Sequence, residues 1–443
     1  MASTTPRVPI PANGVDYRGK IVLAPMVRSG ELPSRLIALK YGADLVWGPE
    51  TIDQAIMGAE RRVNPRNNTI EFTRVSSNGG RPDMPKKENV IYRLDPAREK
   101  GKLIFQMGTA RPDYAVRAAK MVAADVAGID VNSGCPKPFS TSGGMGAALL
   151  RTPDKLVSIL ESLVQEVGIP YQIGISVKIR LLETPEMTES LVKRLVATGI
   201  TGLTIHCRTT PMRPRERAIR DQLKMIVGVC HDAGVACVMN GDVTSRDQAL
   251  ALMEEYGADG AMIATAAEAN SSCFRSAAEG GLLPWRDVVE AYMEEAIRAE
   301  NRYGNTKFLL NMMIQSKDNS SKQAKQAKNY LDVCRLLQFD HLIPAAKEVD
   351  KILGLADRPT ISSEDGTQPS AVQKAKENNE SARAAAGGST HLKKQPPTRE
   401  SPGPIRTNSR ASIPNSTSQT EGDTTDEITA SASIPQQSPA VAV

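Results

Sequence analysis

The 443-residue sequence lacks the marks of several protein classes. Its six cysteines, at positions 135, 207, 230, 237, 273 and 334, never form a Cys-x-x-Cys pair, and its four histidines never form His-Glu-x-x-His. Structural zinc and iron–sulfur sites are therefore not expected. No run approaches the roughly 18 apolar residues that a membrane span requires, and the opening stretch MASTTPRVPIPANGVDYRGK has no apolar signal core. The expectation is a soluble monomer with free thiols, no metal and no membrane contact, in the reducing cytoplasm, with the nucleus as a second location. No Gly-x-Gly-x-x-Gly follows the first β-branched run, where APMVRSG stands instead, which disfavours an open dinucleotide-binding sheet. Charge of one sign is also scarce. The net charge is +5, and the stretch from Ile361 onward holds 8 Lys/Arg against 9 Asp/Glu, so the preceding residues carry +6. That balance permits a polyanionic partner without demanding one.

Eight short apolar runs rich in β-branched residues are present: 20–24, 44–47, 103–106, 128–132, 175–179, 202–206, 236–240 and 260–264. Between them, stretches such as PDYAVRAAKMVAAD and PDKLVSILESLVQEV repeat apolar residues at three- and four-residue spacing, the pattern of helices covering a sheet. Eight such units over about 250 residues predict an α/β fold, a closed (β/α)₈ TIM barrel. The segment between the second and third runs has no helical period and two strand-like pieces, so it reads as a decorated loop or hairpin. After Pro284 the pattern becomes helical: WRDVVEAYMEEAIRAENRY, TKFLLNMMIQS and AKQAKNYLDVCRLLQF. From Asp357 the chain is Ser, Thr, Pro, Gln and Ala without aromatics and cannot bury enough apolar area to fold. The expected organisation is a flexible N-terminus (1–18), a barrel (19–282), a small helical domain (283–356) and a disordered tail (357–443).

In such a barrel, chemistry gathers at the C-terminal strand ends. Read in order, those ends supply Met26, Gln106, Asn132 with Cys135, Lys178 with Arg180, His206 with Arg208, Asn240-Gly241-Asp242, and Ala264-Thr265. Singly, each has a plain structural explanation as a core, rim or turn residue. Small residues in NGDV and IATAA suit a phosphate on the loops after strands seven and eight. A lysine in the mouth suits the flavin edge where charge collects on reduction, and a glutamine suits its amide edge, so FMN is the expected cofactor. Cys135, in VNSGCPK, is then either a proton donor to a polarised double bond or, with Lys178 lowering its pKa, a nucleophile.

LAPMVRSG, FQMGT, VNSGCPK, GGMGAAL, VKIR, HCRTTPMRPRERA and NGDV, in this order, resemble the tRNA-dihydrouridine synthases, in particular the eukaryotic type acting on uridine 20 of the D-loop. The resemblance covers Ile21 to Leu355. It implies an FMN barrel that uses NADPH to reduce the C5=C6 bond of a tRNA uridine, with Cys135 as proton donor to C5. It further implies an FMN site of Pro25, Met26, Val27, Gln106, Lys178, His206, Asn240, Gly241, Asp242, Ala264 and Thr265, with Asn132, Arg180 and Arg208 as substrate contacts. Thr265 stands where the family usually carries an arginine, so backbone N–H groups and the Thr265 hydroxyl are left to hold a phosphate. RTTPMRPRERAIR brings Arg208, Arg213, Arg215, Arg217 and Arg220 beside the mouth, either for tRNA phosphates or paired internally with Glu216 and Asp221. Two other functions share these features: a flavin oxidoreductase of free pyrimidines, and a catalytically silent RNA-binding barrel.

Overall fold

The computed structural model describes residues 7–75, 88–213 and 215–358. The tail expected to be disordered lies, from residue 359, outside the described residues. Eight parallel strands alternate with helices: β1 (Lys20–Leu23), β2 (Leu45–Trp47), β3 (Leu103–Gly108), β4 (Gly128–Ser133), β5 (Gly174–Leu181), β6 (Gly202–Thr209), β7 (Ala236–Asn240) and β8 (Gly260–Ile263). Each pairs with the next, and β8 pairs with β1, so the sheet closes into a barrel. All eight expected runs form these strands. Of the four strands that run further than their apolar runs, β3 and β4 by one or two residues, two carry arginines in the extension: β5 continues through Arg180 to Leu181 and β6 through Arg208 to Thr209. Their inward positions are polar, so the apolar run stops before the strand does.

The core has two main parts beside a small third cluster of Leu32, Leu36 and Ala299. A small cluster of Val22, Ala24, Leu45, Trp47, Ile104, Ala236, Val238 and Met262 fills one side of the barrel interior. A much larger one lies between strands and covering helices and continues through Val288, Tyr292, Leu309 and Val333 of the helices that follow the barrel. Those helices span Trp285–Arg298, Tyr303–Met313, Asn319–Gln326, Tyr330–Leu336 and Ile343–Ile352. AKQAKNYLDVCRLLQF was expected as one helix and is broken in two, because the buried Asn329 is extended and accepts from the backbone N–H of Asp332 at 2.8 Å as an N-cap.

Two further departures bear on the barrel. The insertion after β2 is a three-stranded antiparallel sheet (Glu60–Val63, Ile70–Val75, Glu88–Leu94) rather than a simple hairpin. The segment 1–18, expected as a flexible end, is no free arm over its described residues. Val15 and Tyr17 are buried, with Tyr17 inside the lower end of the barrel against Trp47, ring centroids 5.7 Å apart. Glycine at position 202 makes room for it, since a Cβ there would lie 2.5 Å from the Tyr17 ring.

Candidate active site

Because parallel strands alternate their side chains, every second residue points into the barrel. On β3 to β6 the inward residues towards the mouth, beyond Ile104 and the glycines, are polar: Gln106, Asp130, Asn132, Ser176, Lys178, Arg180, Thr204, His206 and Arg208. They face the apolar side formed by β1, β2, β8 and, below Asn240, β7, against which Met26 and Ala264 pack. The mouth therefore has one apolar and one polar wall.

A chain of hydrogen bonds runs up the polar wall. Ser176 Oγ donates to Asp130 Oδ1 at 2.7 Å and Gln106 Nε2 to Asp130 Oδ2 at 2.8 Å. Asn132 Nδ2 donates to Gln106 Oε1 at 3.0 Å. Asn132 Oδ1 in turn accepts from the backbone N–H groups of Gly134 and Cys135, at 3.1 and 2.9 Å. From the other side, Arg180 Nε donates to the Gly134 carbonyl at 2.7 Å and Arg180 Nη1 to that of Thr209 at 2.9 Å. The turn carrying Cys135 is thus clamped by one amide and one guanidinium.

Lys178 Nζ donates to Asn240 Oδ1 at 3.0 Å, and Asn240 Nδ2 to the Met262 carbonyl at 2.9 Å. Burial, and then the Arg180 charge, lower the Lys178 pKa to about 8. His206 is neutral, since burial and the neighbouring Lys178, Arg180 and Arg208 push it down to about 2. Burial raises Asp130 to about 6, against the pull of its bonds from Gln106 and Ser176. Cys135 is half-buried, and its thiol is raised first by burial and next by the carboxylate of Glu50. At neutral pH the sulfur carries its proton.

The remaining expected residues take separate places on the same rim. Pro25, Met26 and Val27 form the half-exposed turn after β1. Gly241 and Asp242 turn the chain after β7 with positive φ of 127° and 51°, Asp242 Oδ1 accepts from Arg208 Nη2 at 2.5 Å, and Oδ2 from the Ala218 N–H at 2.7 Å. Arg208 also donates to the Glu216 carbonyl at 2.7 Å, so the pair ties β6, the turn after β7 and the arginine-rich segment together. Thr265 is exposed at the start of a five-residue helix. Arg213, Arg215 and Arg217 are exposed and, among the described residues, form no ion pair; Glu216 accepts from the backbone N–H of Arg213 instead.

The family model of dihydrouridine synthase (Dus) matches residues 22–343. The chain belongs to the dihydrouridine synthase family. It is 49% identical over 360 residues to a tRNA-dihydrouridine(20) synthase of Schizosaccharomyces pombe whose name carries NAD(P)+, an alignment covering 78% of this chain and 72% of that one. A Saccharomyces cerevisiae protein of the same name is 45% identical over 309 residues, covering 68% and 79%. A human tRNA-dihydrouridine(20a/20b) synthase-like protein is 28% identical, covering 62% and 76%.

Within this Dus barrel, Asp130, Ser176 and Glu50 are site residues that reading strand ends alone passes over. Asp130 and Ser176 sit two positions before Asn132 and Lys178, so the same period of two that exposes the rim could have found the layer beneath it. Glu50 lies just past the end of β2, which supplies no other polar group.

Proposed function

We propose that this chain reduces the C5=C6 bond of uridine 20 in the tRNA D-loop to dihydrouridine, with FMN seated in the barrel mouth and NADPH as reductant, in keeping with the names of its relatives. The residues present fit a flavin. The apolar side of Met26 and Ala264 suits a ring face, and Gln106, Lys178, His206 and Asn240 offer donors and acceptors along a polar edge. When bound, FMN supplies hydride chemistry, taking hydride from NADPH and passing it to the pyrimidine.

The protein's own groups do the rest. Lys178 sets positive charge beside the edge where negative charge develops, and the neutral His206 ring contributes hydrogen bonding there without a second charge. The backbone at Gly241 and Asp242 and at Ala264 with Thr265 would take the phosphate. Cys135 donates its proton to C5, and Asn132 and Arg180 hold its turn at the mouth, where Asn132, Arg180 and Arg208 also border the pyrimidine. Arg213, Arg215 and Arg217 bind tRNA phosphates and stabilise the nucleotide swung out of the folded tRNA. The observation carrying this reading is the single half-buried cysteine, protonated at neutral pH, on a turn clamped from two sides above a polar barrel wall.

The test is nucleoside mass spectrometry of tRNA from cells with and without the protein. Loss of the two added hydrogens from the D-loop uridine is expected. Unchanged nucleoside masses rule the proposal out, and reduction of free pyrimidines alone by the purified protein reassigns the substrate.

A further inference from the structure

Glu50 is the acidic group nearest the chemistry that the reading above leaves without a task. It sits past the end of β2 and is 9% exposed. Its Oε1 accepts from Ser140 Oγ at 2.8 Å, a bond that links the turn after β2 to the short helix Pro138–Thr141 just beyond Cys135. Its Oε2 is buried without a hydrogen-bond partner, burial raises its pKa, and Ser140, against which it is held, packs beside the Cys135 backbone, so that its negative charge acts on the thiol.

The backbone around the pair is cut to fit. A Cβ on Gly108, at the end of β3, would lie 2.6 Å from Glu50 Oε1. At Gly146, whose φ is +56°, a Cβ would lie 2.4 Å from Ser140 Oγ and 2.6 Å from the Cys135 carbonyl oxygen. The loop closes there through the Ala147 N–H, which donates to the Cys135 carbonyl at 2.9 Å. Neither glycine can take a side chain without moving the carboxylate, the hydroxyl or the cysteine.

We infer that Glu50, held by Ser140, is a positioning residue whose negative charge favours the protonated Cys135 sulfur in the resting protein and its reprotonation by water after transfer. This role rests on the reading of Cys135 as proton donor. The thiol S–H bond breaks as the C5–H bond forms, leaving a thiolate beside a carboxylate. Two like charges in a half-buried site are unfavourable, so the sulfur takes a proton back from water and the thiol is restored. The other charges facing the sulfur act in the opposite sense: Lys137 on its own turn, and Lys178 and Arg180 on β5. Lys178 is spent on Asn240, and Arg180 on two backbone carbonyls. Burial and the Glu50 carboxylate together keep the thiol protonated against these cations.

The flavin-loaded full-length protein is treated with iodoacetamide over a pH series, and modification of the Cys135 peptide is followed by mass spectrometry. The other five cysteines are buried. Glu50→Gln is expected to alkylate faster than wild type near neutral pH, because removing the neighbouring negative charge raises the thiolate fraction. Glu50→Asp, which keeps the charge but withdraws it, is expected to fall between. In single-turnover uridine reduction, the fall in rate at alkaline pH moves to lower pH in Glu50→Gln, since the thiol is lost sooner. Superimposable alkylation curves for wild type and Glu50→Gln overturn the inference; should that variant fail to fold, wild-type rates in Glu50→Ala overturn it equally. Alkylation as expected in a protein that leaves tRNA uridine untouched would instead count against the function, not against the Glu50–Cys135 pairing.

Discussion

Replacing Asp130 by asparagine isolates the cost of a charge buried beneath the active site. Asp130 is fully buried, accepts from Gln106 and Ser176, and its carboxyl is pushed up to about 6 by burial. Against an ordinary aspartate near 4, that rise of about two units is worth ~3 kcal/mol. The folded protein holds this proton more tightly than the unfolded chain. The stability it contributes is thus complete below about pH 4, is lost as pH rises to about 6, and stays lost above. An asparagine amide in its place can keep both hydrogen bonds, its oxygen toward Gln106 and its NH₂ toward the Ser176 hydroxyl, without any charge to desolvate. Unfolding of wild type and Asp130→Asn by guanidinium, followed by circular dichroism over a pH series, tests this, because groups that Asp130 does not touch cancel in the difference and its coupled neighbour Lys178, at about 8, titrates above the window. The variant's unfolding free energy should gain on wild type by ~3 kcal/mol between about pH 4 and 7 and then level off. A difference independent of pH would refute the claim that a buried carboxyl anchors the polar wall.

Other expectations can be checked separately. Arg35 and Glu99, each 1% exposed, form a two-point ion pair at 2.6 and 3.1 Å, and Arg35 also donates to the Gly30 carbonyl behind the turn after β1. Arg35→Met strands a buried carboxylate and should cost about 3–5 kcal/mol by denaturation, with much of it regained in Arg35→Met/Glu99→Gln. Cys135→Ala should keep flavin, tRNA binding and flavin reduction by NADPH while losing most uridine reduction in a stopped-flow assay; loss of flavin instead would make the cysteine structural. Arg215→Ala/Arg217→Ala should weaken tRNA binding and lower the slope of log K against log salt by roughly 1–2 in filter binding, each phosphate contact contributing ~0.7–0.9. An unchanged slope would mean that these arginines do not touch phosphate.

Much of the fold is legible in the sequence because parallel barrel strands are buried on both faces and read as unbroken apolar runs. The eight runs all form strands, within a few residues at their ends. The misjudged places have a common cause. Arg180 and Arg208 end an apolar run without ending a strand, since their backbone still pairs while the side chains line a polar interior. Tyr17 sits in a segment whose proline and glycine suggest a loose end, yet its ring fills a space that only the assembled barrel creates. Asn329 breaks a helix that has a continuous apolar period, because its side chain caps the next turn.

The sequence by itself determined the strand and helix order, the rim to which Gln106, Asn132, Lys178, His206 and Asn240 are delivered, and the turn that holds Cys135. Periodicity and Gly-Pro punctuation are local properties, and a closed barrel converts local order into a shared mouth. Only the tertiary structure decided which groups meet across strands: Asp130 with Gln106 and Ser176, Arg180 with Gly134, Glu50 with Ser140 and Cys135. Those contacts join residues up to 90 positions apart, and the ionisation of the thiol, the lysine and the aspartate follows from the burial and neighbouring charge found there. Residue type offers the proton; the packed site sets how tightly it is held.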